Sequence, residues 1–231
     1  MPTRPEMGAS LNLSEVMIAQ GKRNRPGLLM RPKFITVHNT DNSKVGADAD
    51  AHARFVTKKG YYTRNGKKIW VSWHHTVDDG EVIKHLPIHE VAYHAGESAN
   101  TMSIAIEICM NSGIDHAKAN DRAARLVAVL LHDLNSTVEK VRTHKSWTNK
   151  NCPSRLLSNA DNLDWNDFVS LASGHLSSIT SEPPADILSM DLEHFPDDAA
   201  VAAQSFSEEV REDLQNDIDH EAVAASLREG E

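Results

Sequence analysis

The chain has 231 residues, of which 40% are hydrophobic and 25% charged, with a formal net charge of -9. These values suit one globular domain of ordinary size plus an appendage. They come without a run approaching the roughly 20 apolar residues of a membrane span. Two cysteines, Cys109 and Cys152, are too few for a disulfide framework. The N-terminus lacks the apolar core of about 7–15 residues that marks a secretory signal, so the chain is expected to be soluble as synthesised.

The charge is unevenly placed. Residues 182–231 carry 15 Asp/Glu against two Arg, whereas residues 1–181 hold 18 acids against 22 Lys/Arg. A mildly basic body is attracted to an anionic polymer, whether cell wall or nucleic acid. No recognised nucleic-acid motif supports the second.

Residues 1–31 are weakly patterned and read as an arm packed on the domain, with a helical turn near Leu11, Leu13, Val16 and Met17 and Ser10 as its cap. Phe34 to His38 is β-branched and reads as a strand, with Ile35 and Val37 on one face and Phe34, Thr36 and His38 on the other. Ala47 to about Lys58 reads as a helix opened by Asp48 and Asp50 and ended by Gly60. Asn65-Gly66 signals a two-residue hairpin. Its arms carry Lys58, Lys59, Arg64, Lys67 and Lys68 beside Tyr61, Tyr62 and Trp70, a pattern that fits either a substrate groove or a solvated hairpin. Strands are expected over Val71–Val77 and Glu81–Leu86, joined by the Asp78-Asp79-Gly80 turn.

Ser103 to Met110 is the clearest strand. Ile104, Ile106 and Ile108 face one way, and Ser103, Ala105, Glu107 and Cys109 the other. A glutamate inside such a strand is out of place unless it is paired or used. A helix from about Ala117 to Asn135 follows, striped by Ala123, Leu126, Val127, Leu130, Leu131 and Leu134. A short strand over Val138–Val141 and a closing helix from Leu163 to about Leu176 complete the body. Beyond Pro183-Pro184 acids dominate. Ser205-x-x-Glu208 resembles a capping box, and Val210, Leu214 and Ile218 recur every four residues. One or two amphipathic helices or a partly disordered tail are expected there. Docking on the basic body as a shield and binding a partner are alternatives to a solvated extension.

His38, His144 and Cys152 offer two imidazoles and a thiol, the donor set of a zinc ion that keeps one position open. Zinc lowers the pKa of a bound water towards ~7, and Glu107 is the carboxylate to move its proton. These residues lie in five ordered blocks: Ile35-Thr36-Val37-His38-Asn39-Thr40, Val71-Ser72-Trp73-His74-His75-Thr76-Val77-Asp78-Asp79, Ala92-Tyr93-His94-Ala95-Gly96, Ser103-Ile104-Ala105-Ile106-Glu107-Ile108-Cys109, and Val141-Arg142-Thr143-His144 with Lys150-Asn151-Cys152-Pro153.

On these blocks, residues 33–157 resemble the zinc-dependent N-acetylmuramoyl-L-alanine amidases, the type 2 amidase family that shares its fold with peptidoglycan-recognition proteins. The resemblance is closest to the enzymes of Gram-positive prophages and phage lysins. It implies a central mixed β-sheet flanked by helices, zinc held by His38, His144 and Cys152, and Glu107 as the catalytic glutamate. It further implies Lys150 as oxyanion stabiliser and a substrate-facing His94. Some relatives place a catalytic tyrosine just before the histidine matching His74; here Trp73 stands there. Tryptophan does no acid–base work, so that work falls to Glu107, and Trp73 is kept with His94 as a candidate substrate contact. His74 and His75 point to opposite faces, with a structural role expected for both.

The expectation is therefore an α/β protein with an N-terminal arm (1–31), a zinc amidase domain (32–180) and an acidic tail (181–231). It would act as a monomer on peptidoglycan or muropeptides, without nucleic acid. It would reach the wall by holin-type release or other export, or work in the cytoplasm on recycled fragments. A non-catalytic peptidoglycan binder of the same fold is the rival, and such members typically lack a metal ligand.

Overall fold

In the computed structural model, which describes residues 1–180 and 207–228, six strands form one mixed sheet in the order β1-β6-β5-β7-β2-β8. They are β1 (Leu13–Glu15), β2 (Phe34–Asn39), β5 (His75–Val77), β6 (Val82–Lys84), β7 (Ser103–Ile108) and β8 (Val141–Thr143). Only β5 and β6 run antiparallel; the remaining pairs are parallel. The hairpin β3 (Tyr61–Arg64) and β4 (Lys67–Trp70) stands apart as a second sheet, turned by Asn65 at φ 50° and Gly66 at φ 76°, the left-handed pair that such a turn needs.

One face of the sheet carries Ile35, Val37, Ile104, Ile106 and Ile108 against α4 (His116–Asp133), whose Leu126, Val127, Leu130 and Leu131 are buried there. Helix α7 (Trp165–Ser178) packs on α4 from outside. Both start at side-chain caps: Asp115 accepts from Lys118 N–H at 3.1 Å, and Asp164 and Asp167 form a capping box. The other face carries Ala105 with Phe55, Val56, Tyr62 and Trp73. It is covered by α2 (Ala49–Arg54), its π-helical continuation Phe55–Lys59, the hairpin, and the C-terminal segment. Gly60 ends that helix at φ +68°, and a Cβ there would meet the Asn24 side chain at 2.3 Å, so no other residue fits.

Several element expectations are revised. The arm forms α1 (Arg4–Ala9), with Thr3 at its head in a capping box with Glu6 and Ser10 at its other end. The arm then supplies edge strand β1, so it is part of the sheet. The strands expected over 71–77 and 81–86 shrink to three residues each. Val138–Lys140 is a 3-10 turn and the strand begins at Val141. The 182–206 stretch, including Ser205 of the expected capping box, lies outside the described residues. Residues 207–228 form α8 (Glu208–Leu214) and α9 (His220–Arg228), docked through Leu214, Ile218, Val223 and Ala224, all buried. That replaces the solvated extension: the four-residue apolar period needed a face to bury, and the sheet offered one. No described helix is long and apolar enough to cross a membrane.

Candidate active site

The register of β2 against β7 sets His38 beside Glu107, on the face opposite the isoleucines and near the carboxyl ends of two parallel strands. That edge is the usual place for a site in such sheets. His144 follows β8 directly. The short helix α5 (Lys145–Thr148), ended by left-handed Asn149 at φ 64°, turns the chain so that Lys145 N–H donates to Cys152 O at 3.0 Å. Arg155 N–H donates to Asn39 Oδ1 at 3.1 Å and Arg155 Nε to Asp161 Oδ2 at 2.8 Å, which ties the cysteine loop to the end of β2.

His38 Nδ1 lies 3.0 Å from His144 Nδ1 and 3.7 Å from Cys152 Sγ. A fourth residue joins them: ligand atoms of His38, His144, Cys152 and His220 all lie within 4.8 Å of one another, and all four residues are buried. A tetrahedral ion with metal–nitrogen bonds of ~2.0–2.1 Å and a metal–sulfur bond of ~2.3 Å spaces its donors roughly 3.3–3.7 Å apart. The His38–Cys152 separation of 3.7 Å matches that spacing, and the two imidazole nitrogens at 3.0 Å lie slightly inside it. Glu107 Oε1 is 3.9 Å from His38 Nδ1 and accepts from His220 Nε2 at 2.8 Å; its Oε2 is buried without a partner among the described residues.

The electrostatics suit a cation. Burial first, then the rings of His144, His94 and His220, holds His38 well below its usual 6.5, so it is neutral and free to ligate. Burial, reinforced by the Glu107 carboxylate, pushes the Cys152 thiol well above 9.0; a cation beside it would restore the thiolate. Burial likewise pushes Glu107 well above 4.5, opposed by His144. Asp217 is raised by burial but held below its ordinary value overall by the hydrogen bonds and charges of His144 and Lys150. As a carboxylate it can only accept, so His144 Nε2 donates to Asp217 Oδ1 at 2.6 Å. That leaves the His144 Nδ1 lone pair turned into the cluster, the arrangement of a carboxylate-oriented metal ligand.

His94 is fully buried, with Nδ1 3.0 Å from His38 Nε2, so it orients a candidate ligand. Lys150 is half-buried and pairs with Asp217 Oδ1 at 3.1 Å and with the Ile218 carbonyl. Trp73 is not brought to the site. It is 1% exposed, stacks on Phe55, and donates from Nε1 to Thr76 Oγ1 at 2.7 Å. Thr76 bonds His85 Nε2 at 2.8 Å, and His85 Nδ1 donates to Val16 O at 3.1 Å. The tryptophan thus belongs to a core network tied to the arm, and the expected substrate contact is corrected. His74 is structural: Nδ1 accepts from Ala105 N–H at 2.9 Å and Nε2 donates to Glu90 O at 2.9 Å. His75 is buried outside the cluster, and both cysteines are free thiols. The hairpin borders the site, with Tyr62 OH and the Trp70 carbonyl both bonded to the C-terminal segment, while Lys68 Nζ sits 4.3 Å above the Tyr61 ring. His220 and Asp217 carried no local motif. The only signal was the apolar period at Val210, Leu214 and Ile218 within an acidic run.

A mixed sheet covered on both faces, with a buried cluster of three histidines and a cysteine that could hold a metal ion beside a buried glutamate, defines an α/β protein with a candidate hydrolytic site. The Amidase_2 family, N-acetylmuramoyl-L-alanine amidase, matches residues 28–155, more than half of the chain, and the protein belongs to that family. N-acetylmuramoyl-L-alanine amidase XlyA of Bacillus subtilis strain 168 is 44% identical over 156 residues, which are 66% of this chain and 50% of XlyA. CwlH of the same organism is 43% identical over 150 residues, 63% of this chain and 55% of CwlH. The chain thus spans about half the length of the curated relatives it matches. The solved catalytic domain of XlyA superposes with a TM-score of 0.61 at 41% identity, covering 70% of this chain and 99% of that one. PlyL gives 0.58 at 30% identity, covering 71% and 98%.

Proposed function

We propose that the protein is a zinc-dependent hydrolase of the amide bond between the lactyl group of N-acetylmuramic acid and L-alanine in peptidoglycan. The observation that carries this reading is the convergence of His38, His144 and Cys152, with ligand atoms 3.0 and 3.7 Å apart, beside the buried Glu107. Family membership, and relatives named as amidases of this bond, support it. Two imidazoles and a thiolate suit zinc; when bound it polarises a carbonyl and makes a water acidic.

The chain's own residues do the rest. Glu107 takes the proton of the attacking water and returns it to the departing alanine nitrogen, and burial, which raises its carboxyl above the usual range, helps it hold that proton in between. Lys150 offers a positive charge to the carbonyl oxygen as negative charge develops there. His94 holds the His38 ring in its ligating orientation. Mass spectrometry of digested peptidoglycan tests the reaction. Free peptides beginning with L-alanine beside intact glycan are expected. New reducing sugar ends, or cleavage inside the stem peptide, would refute it.

A further inference from the structure

Every residue assigned to the reaction lies within residues 28–155, where the family match falls. The segment Asp213–His220 lies outside that range, yet it touches nearly all of them. Its stretch between α8 and α9 bonds main chain to main chain: Asp217 bridges antiparallel to Ala95, Gly96 N–H donates to Asn216 O at 3.1 Å, and Ile218 N–H donates to His94 O at 3.2 Å. The Asn100 amide, which accepts from His94 and Ala95 N–H, donates to Leu214 O and Asn216 O, both at 2.9 Å. Asn216 Nδ2 reaches the Trp70 carbonyl at 3.0 Å and Tyr62 OH the Asp217 carbonyl at 3.3 Å.

Docked this way, the segment engages the machinery group by group. Asp217 engages His144 at 2.6 Å and Lys150 at 3.1 Å, and Ile218 O accepts from the same lysine. His220 holds Glu107 Oε1 at 2.8 Å and offers a ring nitrogen to the His38–His144–Cys152 set. Leu214 and Ile218, 3% and 1% exposed, anchor it. A catalytic metal keeps one position open to water, and four protein donors make a closed, structural one. The main-chain groups of His94, Ala95 and Gly96 that the segment bonds are the kind of partner a peptide substrate uses.

We propose that residues 213–220 are a built-in occupant of the substrate groove that holds the enzyme latent. His220 fills the metal's open position while Asp217 ties up Lys150, and turnover requires this segment to leave. The inference rests on the amidase reading of the same site. It needs no covalent step, only exchange of a docked segment for substrate.

The test uses the full-length protein loaded with cobalt(II), with His220→Ala and Ile218→Asp as independent ways to undock the segment. Azide is the probe of an open position. The wild-type visible spectrum should not respond to azide, whereas both variants should shift with it. Both should release L-alanine-ended peptides from peptidoglycan about tenfold faster, the factor that 1.4 kcal/mol of lost docking corresponds to. A wild-type protein that binds azide as readily as the variants overturns the proposal, and so does measurable cleavage by the wild type with an equal or lower rate in the variants. If azide reaches cobalt only in the variants and none of the proteins cleaves peptidoglycan, the occlusion stands and the amidase reading falls. Equal cleavage by all three proteins, with azide reaching cobalt in each, leaves the amidase and removes the latch.

Discussion

Glu107 shows how much a single side chain owes to its position. On an alternating strand it sits opposite three isoleucines, and the parallel register with β2 places it next to His38. Acid–base work by such a group is worth about 10²–10⁴-fold in rate. Glu107→Gln should therefore keep one metal per chain by elemental analysis while losing turnover on that order; normal turnover would remove Glu107 from the mechanism. The buried structural histidines make a second expectation. His74 and His85 are each lowered from 6.5 to about 4, chiefly by burial. An unfolded chain takes up protons on these rings below ~6.5, and the folded one does so only near 4. Their stabilising contribution is thus complete above 6.5 and lost as pH falls from 6.5 towards 4. Calorimetry on metal-free protein should show Tm falling through that window, where metal release plays no part. A flat profile would mean that these rings stay solvated.

At the scale of elements, the site depends on a sheet held from behind. Leu131 on α4 is fully buried in the cluster that contains Ile104, Ile106 and Ile108. Leu131→Ala should cost about 2–5 kcal/mol, measured by denaturant unfolding, with metal stoichiometry unchanged because the cluster lies on the other face. The helix and hairpin signals were legible in sequence since caps, turns and the 3.6 period are local. Asp48, Gly60, Asn65-Gly66 and the α4 stripe all act within a few residues of themselves. Strand lengths were less legible. Residues 71–74 are β-prone, but two of them bond outside the six-stranded sheet: Val71 N–H to Gly60 O and Ser72 N–H to Tyr93 O.

Across the whole molecule, the arm and the C-terminal segment behave differently. The arm buries Leu11, Ile18 and Met30, adds β1, and pairs Arg25 with Glu90 at 2.7 Å. At about 1.5–3 kcal/mol per buried side chain and ~2–4 °C per kcal/mol at this size, removing residues 1–31 should lower Tm by at least ~10 °C. A smaller loss would make the arm dispensable. We propose the boundary after residue 180, so that a chain ending at Ser181 stays folded and binds metal; an unfolded product would place the boundary elsewhere.

The sequence by itself determined the family, the alternation that turns Glu107 away from the isoleucine face, and the short His144-to-Cys152 loop. Those are properties of spacing along one or two strands and of blocks in order. Only the tertiary structure decided that Trp73 belongs to a core network and that His220, 113 positions beyond Glu107, reaches the Glu107 carboxylate. The physical reason is that an acidic run with a four-residue apolar period states that a face must be buried. It does not state against what, and the answer is fixed by groups far away in the chain. The two histidines and the cysteine that first suggested an open metal position are thus met by a fourth donor.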